Sequence, residues 1–260
     1  MYEAIINKLN NNIECELSIN ELKYIYEDNF KEFESIRNLR NNYNDLCKLF
    51  GKKHVACTLE EINHDTICYV GNLYIDKKLP TYNLKYIYGD LDYRLSEVYN
   101  LENLEIIVGN AYFPSIYDVD GLENLSIIVG DGIFKYLDNV EGLISLTRVY
   151  RDLDLNYIKN SNGLNNLKYI GHNAHFVNLT ETICLDNLEK IGGNAYFCSL
   201  ESAKGLEKLK KIRGNAYFES LKSIEYLYHN LYIGKKQCFG QDGLSLEEFR
   251  NKEKEKCMKK

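Results

Sequence analysis

Long apolar runs are missing from this 260-residue chain. A membrane-spanning helix needs a stretch of about 18 apolar residues, and none occurs, so none is expected. Residues 1–12 mix polar and apolar side chains, without the apolar segment that a secretory signal requires. Cysteine occurs 8 times but never as C-x-x-C, so zinc-ribbon spacing is absent. The chain is neither small nor loop-rich, which argues against a disulfide scaffold. Together these absences predict reduced cysteines in a cytoplasmic protein. A basic excess is missing too: 32 Lys and Arg stand against 38 Asp and Glu, for a net charge of −6. Nucleic-acid binders usually carry a basic stripe that neutralises phosphates. The one basic run is Lys252, Lys254, Lys256, Lys259 and Lys260, broken by Glu253 and Glu255, and it reads as a solvated helix end. No phosphate loop, nucleophile motif or G-x-G-x-x-G is present. The expectation is a non-enzymatic protein with no cofactor, no metal, no nucleic-acid partner and no membrane partner.

What the chain does have is a repeat. Gly193-Asn194-Ala195-Tyr196-Phe197 returns as Gly214-Asn215-Ala216-Tyr217-Phe218, 21 residues later (214 − 193). The same pattern starts at Gly71, Gly89, Gly109, Gly130, Arg151 and His172, and a degenerate copy starts at His229. A fixed period of this size marks a solenoid, in which each coil completes its core by stacking on the next. Numbering one coil from its first Gly, position 3 is small or apolar (Ala174, Ala195, Ala216) and position 5 is apolar (Phe176, Phe197, Phe218). Side chains alternate along a strand, so positions 3 and 5 point inward and positions 2 and 4 outward. Leu columns follow at positions 14 (Leu164, Leu185, Leu206) and 17 (Leu167, Leu188, Leu209). Position 20 is Ile or Val (Ile170, Ile191, Ile212). Gly121, Gly142, Gly163 and Gly205 at position 13 suggest a turn that needs positive φ.

The regions before and after have a different period. Ser18 with Glu21 reads as a capping box. Leu22, Ile25, Tyr26, Phe30, Phe33, Ile36, Leu39, Tyr43, Leu46 and Phe50 then follow at helical steps up to a stop at Gly51. Thr58 with Glu61 marks a further short helix, and Ser245 with Glu248 opens a C-terminal one. The expected divisions are an N-terminal helical cap over 1–66, the repeats over 67–236, and a capping helix with a basic tail over 237–260.

The pattern L-x-N-L-x-x-I-x-G-N-A-Y-F, as in residues 101–113, resembles the leucine-rich-repeat-like solenoids of bacterial proteins. It is also similar to the repeats of receptor L domains. The abundance of Asn, Lys, Ile and Tyr, which have A/T-rich codons, agrees with an AT-rich bacterial or phage genome. The resemblance covers about two-thirds of the chain and implies a scaffold, not a reaction. The L-x-x-L-x-L-x-x-N signature of the standard leucine-rich repeat is missing. The expected fold is therefore α+β: a right-handed parallel β-solenoid of about eight or nine coils, between an N-terminal helical cap and a C-terminal helix.

Position 4 then carries the candidate surface: Tyr112, His175, Tyr196, Tyr217 and Tyr232, beside Asn194 and Asn215 at position 2. Tyrosine gives a large, rigid contact with a polar tip, which suits a protein-docking face. The plainer reading is that the tyrosines stack and the Asn side chains form amide ladders, stabilising the sheet. Asp90, Asp92, Asp152 and Asp154, with Arg94, Arg148 and Arg151 nearby, leave a carbohydrate-binding or carbohydrate-active solenoid as the alternative. Small size and acidity allow an antitoxin or immunity-type role as a third. His172 and His175 share a coil, but a metal site would need further ligands.

Overall fold

A computed structural model describes residues 43–78 and 83–258. The expected helices upstream of Tyr43, with the Ser18–Glu21 box, lie outside the described residues. The repeats form a parallel β-solenoid of about eight turns. Among the described residues, one sheet has ten strands, from Val55–Ala56 through Cys68–Val70 to Tyr232–Ile233. The other has nine, from Leu73–Ile75 to Gln237–Phe239. Every ladder pair is parallel, and through most of the rod partners lie 21 residues apart, as Ala195↔Ala216 and Ile191↔Ile212. Among the described residues the strand ladders thus run from Val55 to Phe239.

The inward columns behave as the alternation requires. Phe176, Phe197, Phe218 and Phe239 are fully buried, with ring centroids 5.1–5.2 Å apart. Leu, Ile and Val columns from Leu122 to Ile212 fill the rest of the interior without exposure. The ring of Tyr93 also points inward, and its hydroxyl is satisfied locally. It donates to the Glu97 carbonyl (3.0 Å) and accepts the Tyr99 N–H (2.8 Å). Burial pushes that phenol up to about 12. At position 13, Gly121, Gly163 and Gly205 have φ of 97°, 103° and 101°. Gly142 lies instead in a short 3₁₀ turn, Glu141–Leu143, and is needed for space: a Cβ there would sit 2.1 Å from the Val119 carbonyl oxygen.

The last coil corrects the sequence reading. The copy placed at His229 is not a continuation of the nine-stranded sheet. Gln237, Cys238 and Phe239 pair with Ala216, Tyr217 and Phe218, so that coil starts at Lys235, again 21 residues on (235 − 214). Tyr232–Ile233 pairs with Lys211–Ile212 in the ten-stranded sheet. Residues 229–233 imitate the motif because both sheets use the same apolar alternation. The 21-residue ladder decides between them, with Ile233 following Ile212 and Phe239 following Phe218.

The two ends are dressed differently. Helix α1 (Tyr43–Phe50) stops at Gly51, whose φ is 82°. It packs on the outer face of the ten-stranded sheet, where Leu46 and Phe50 join Tyr86, Tyr88, Ile106 and Ile127. Phe50 stacks on Tyr86 at 5.4 Å. The Thr58–Glu61 capping box forms at a 3₁₀ turn, Leu59–Glu61. Helix α2 (Leu246–Met258) opens with the Ser245–Glu248 box: Ser245 N–H donates to Glu248 (2.8 Å) and Glu248 N–H to Ser245 (3.2 Å). Phe249 and Leu246 seal the final coil, with Phe249 against Phe239 at 6.3 Å.

Candidate binding face

The strand Ala195–Tyr196, continued by Phe197, sets the geometry. Ala195 and Phe197 are buried, so Tyr196 between them faces outward. Its neighbours in register are His175 and Tyr217. The three rings stack face to face: His175 on Tyr196 at 4.9 Å and 12°, Tyr196 on Tyr217 at 5.0 Å and 5°. All three are half-buried, so one side of the stack meets solvent. Tyr112 shares the column but lies three coils from His175, beyond Ile133 and Asp154. Its hydroxyl is pushed up by burial and by the nearby carboxylates of Asp90 and Asp131. Tyr232 sits on the outer side of the other sheet, against Lys211, and Cys238 follows Tyr217 in its place.

Position 2 holds a ladder, but not the amide-to-amide one expected. Each side-chain oxygen accepts the backbone N–H of the equivalent residue one coil on. Asn72 accepts from Asp90 (3.0 Å), Asp90 from Asn110 (2.7 Å), Asn110 from Asp131 (2.8 Å) and Asp131 from Asp152 (3.0 Å). Asp152, Asn173 and Asn194 accept in turn from Asn173, Asn194 and Asn215, each at 2.8 Å, and Asn215 accepts from Lys236 (3.1 Å). Only an acceptor oxygen at that reach is required, which is why Asn and Asp interchange from Asn72 to Asn215, while Lys236 in the final coil only donates. Asn194 and Asn215 are therefore structural through their oxygens. Asn194 also donates to the Tyr196 hydroxyl (3.2 Å) and so fixes one ring of the stack.

The charges along this face are matched coil to coil. Two of the ladder carboxylates meet a basic side chain where the next coil abandons glycine at position 1. Arg151 lies 3.4 Å from Asp131, and His172 lies 2.6 Å from Asp152. Burial would raise the Asp152 carboxyl, but the Asn173 backbone N–H and the His172 ring outweigh it and hold it below the usual range. Asp92 accepts from Nε and Nη2 of Arg94, at 2.6 and 2.7 Å, and Asp154 accepts the Asn156 N–H (3.1 Å). Arg148, expected beside Asp152, lies on the ten-stranded sheet instead. Each of the four acidic residues weighed for acid–base chemistry thus has a local structural partner.

An open cleft of about 550 Å³ lies elsewhere, lined by Ser96, Glu97, Val98, Tyr117, Asp118 and Asp120. Nothing in the repeat pattern pointed to it, because Ser96–Val98 belong to the irregular segment between Gly89 and Gly109. Among the described residues no group of three or more His, Cys, Asp or Glu is placed to hold a metal ion. No described helix is long and apolar enough to cross a membrane. The chain matches no family model, no curated protein and no solved structure.

Proposed function

We propose that this solenoid is a non-enzymatic scaffold that binds another protein, and that the His175–Tyr196–Tyr217 stack is the centre of its docking face. The observation that carries this reading is the stack itself: three rings in consecutive coils, parallel and half-exposed, on a face whose other columns are tied up in the fold. Rigid aromatic surface is what binding sites favour, since few side-chain torsions are frozen on contact. Leu columns followed by an Ile strand support kinship with leucine-rich-repeat-like solenoids of bacterial type. The six free thiols among the described residues fit a reducing, cytoplasmic setting. The experiment is quantitative capture from the native cell with the full-length protein as bait, then affinity measurement on the captured protein. Tyr196→Ala/Tyr217→Ala should lose it. Equal capture by both baits would refute this face.

A further inference from the structure

The third side of the rod belongs to neither sheet. In each coil it is the long return from the nine-stranded sheet to the ten-stranded one, as between Ala111–Tyr112 and Ile127–Ile128. Three consecutive coils carry an exposed tyrosine there: Tyr117, Tyr136 and Tyr157, exposed by 60%, 40% and 48%. Tyr136 and Tyr157 are equivalent in their coils, and their rings meet at 5.6 Å, tilted by 53° rather than face to face. Tyr117 is offset: its carbonyl accepts the N–H of Asp138, two residues past Tyr136 in the next coil. Among the described residues the Tyr117 side chain has no ring contact and no hydrogen bond. The aliphatic residues beside these rings are spent on the core: Ile116, Val119, Leu137, Leu155 and Ile158 are fully buried. The rings thus stand among polar side chains, with Asp118, Asp120, Lys135 and Asp138 exposed around them.

Tyr117 is also part of the wall of the open cleft, whose volume of about 550 Å³ is in the range of small-ligand sites. The fold holds both walls. On one, the Asp118 carboxylate accepts the Val119 N–H (2.7 Å), the Asp120 N–H (3.3 Å) and, from the next coil, the Asn139 amide (3.4 Å). On the other, the Glu97 carbonyl accepts the hydroxyl of the buried Tyr93 (3.0 Å), and the Glu97 carboxylate accepts the hydroxyl of Tyr99. The walls meet at Val98, which would lie 3.2 Å from a Cβ at Gly121. Two groups in the cleft are not used by the fold. The Asp120 carboxylate and the Ser96 hydroxyl are exposed and make no hydrogen bond or ion pair among the described residues. No lysine or arginine lines the cleft.

We propose that this cleft, with the tyrosine ridge that runs from it, binds a neutral saccharide chain. A pyranose presents an apolar face of C–H groups and a rim of hydroxyls. Tyr117 offers a rigid ring to the face. Asp120 and Asp118 offer carboxylate oxygens, to which sugar hydroxyls donate short, charge-assisted hydrogen bonds, and the Ser96 hydroxyl can donate or accept. From Tyr117 to Tyr157 is two coil steps, or about 10 Å, so Tyr136 and Tyr157 take further units of the same chain. An anionic glycan fits less well, because its charges would meet carboxylates and no cation in the cleft. A lone ammonium group would use the carboxylates and leave the ridge idle. A protein interface is built around an apolar centre that excludes water, and here polar side chains surround the rings. The surface lies off both sheets, so its test is independent of the His175–Tyr196–Tyr217 reading.

The test is isothermal titration of the full-length protein with cellohexaose, mannohexaose, maltohexaose, xylohexaose and N-acetylchitohexaose. Spermidine is the comparator for a cationic ligand. At least one of the saccharides should bind. Tyr117→Ala/Tyr136→Ala should weaken it at least tenfold and Asp120→Ala at least threefold, whereas Tyr117→Phe keeps the ring and should stay within threefold of wild type. Tyr74→Ala, which removes a tyrosine of similar exposure from the nine-stranded sheet, should change it less than twofold. Melting curves confirm that each variant is folded. Absence of binding by every saccharide of the set would overturn the proposal. So would saccharide binding that Tyr117→Ala/Tyr136→Ala leaves unchanged, which would place the ligand elsewhere. Spermidine held through Asp120, with no saccharide bound, would make the cleft a cation site and overturn it too. Loss of protein capture in Tyr117→Ala/Tyr136→Ala, again with no saccharide bound, would assign the ridge to a protein instead.

Discussion

Tyr196 and Phe197 are consecutive residues of the chain, and both stack on rings one coil away at nearly the same distance. Phe197 lies 5.2 Å from Phe176 and 5.1 Å from Phe218; Tyr196 lies 4.9 Å from His175 and 5.0 Å from Tyr217. The columns differ in what the fold tolerates. The inward column admits only Ile, Tyr, Phe and Leu from Ile75 to Phe239, all fully or nearly fully buried. The outward column runs Tyr74, Asp92, Tyr112, Ile133, Asp154, His175, Tyr196, Tyr217 and Cys238, and the sheet is continuous under all of them. Strand pairing therefore does not require an aromatic at position 4. Three consecutive rings from His175 to Tyr217 are thus more than strand pairing asks for, and that excess supports the proposed docking role.

The largest effect should come from the inward column. Phe197→Ala removes a fully buried ring between two others and should destabilise by about 3–5 kcal/mol in denaturant unfolding. A loss below about 1 kcal/mol would mean that the coil can collapse around the gap and that the column is not a close-packed core. The ladder comes next. Asn194→Ala strips the Asn215 N–H of its acceptor and should cost about 1–3 kcal/mol. Asn194→Asp keeps the oxygen and should cost clearly less. If the two variants are equally destabilised, the side-chain oxygen is not what that position supplies.

Tyr217→Ala should be milder still, about 0.5–1.5 kcal/mol, since it gives up one face-to-face contact and little burial. A loss as large as that of Phe197→Ala would erase the distinction between the two columns. The smallest effect concerns pH. The Asp152 carboxyl is held low in the folded protein, so the unfolded chain takes up its proton first on acidification. Its contribution is complete above the ordinary carboxylate range, around pH 4, and disappears as pH falls through the lowered value. Asp152→Asn keeps the ladder acceptor and removes the charge. The stability gap between wild type and this variant should be under ~1 kcal/mol at pH 7, given the exposure of the pair, and should close by about pH 2. A gap that widens on acidification would contradict the sign.

Much of this was readable in the sequence, because a period of 21 with alternating faces leaves few choices. The buried Phe column, the outward Tyr196 and Tyr217, and the two capping boxes at Thr58 and Ser245 follow from spacing alone. The final coil did not, since Asn230-Leu231-Tyr232-Ile233 satisfies the motif locally and only pairing across coils shows that Phe239 continues the Phe column. The ladder was half visible: strict Asn/Asp exchange at position 2 signals a bare acceptor, but the donor is backbone and leaves no mark in the sequence. Arg148 is close to Asp152 in the sequence but not in the fold, because the chain turns from one sheet to the other within the two residues between Arg148 and Arg151.

The central claim is that Tyr196 and Tyr217 serve binding more than folding. Its most direct test is one variant measured twice: Tyr196→Ala/Tyr217→Ala, for unfolding free energy and for Kd toward the protein that the wild type captures. The account predicts a stability loss of less than about 3 kcal/mol, the sum of two exposed stacking contacts, together with affinity weakened at least tenfold, about 1.4 kcal/mol or more. Unchanged affinity with a large loss of stability would make the tyrosine stack a part of the fold and nothing else.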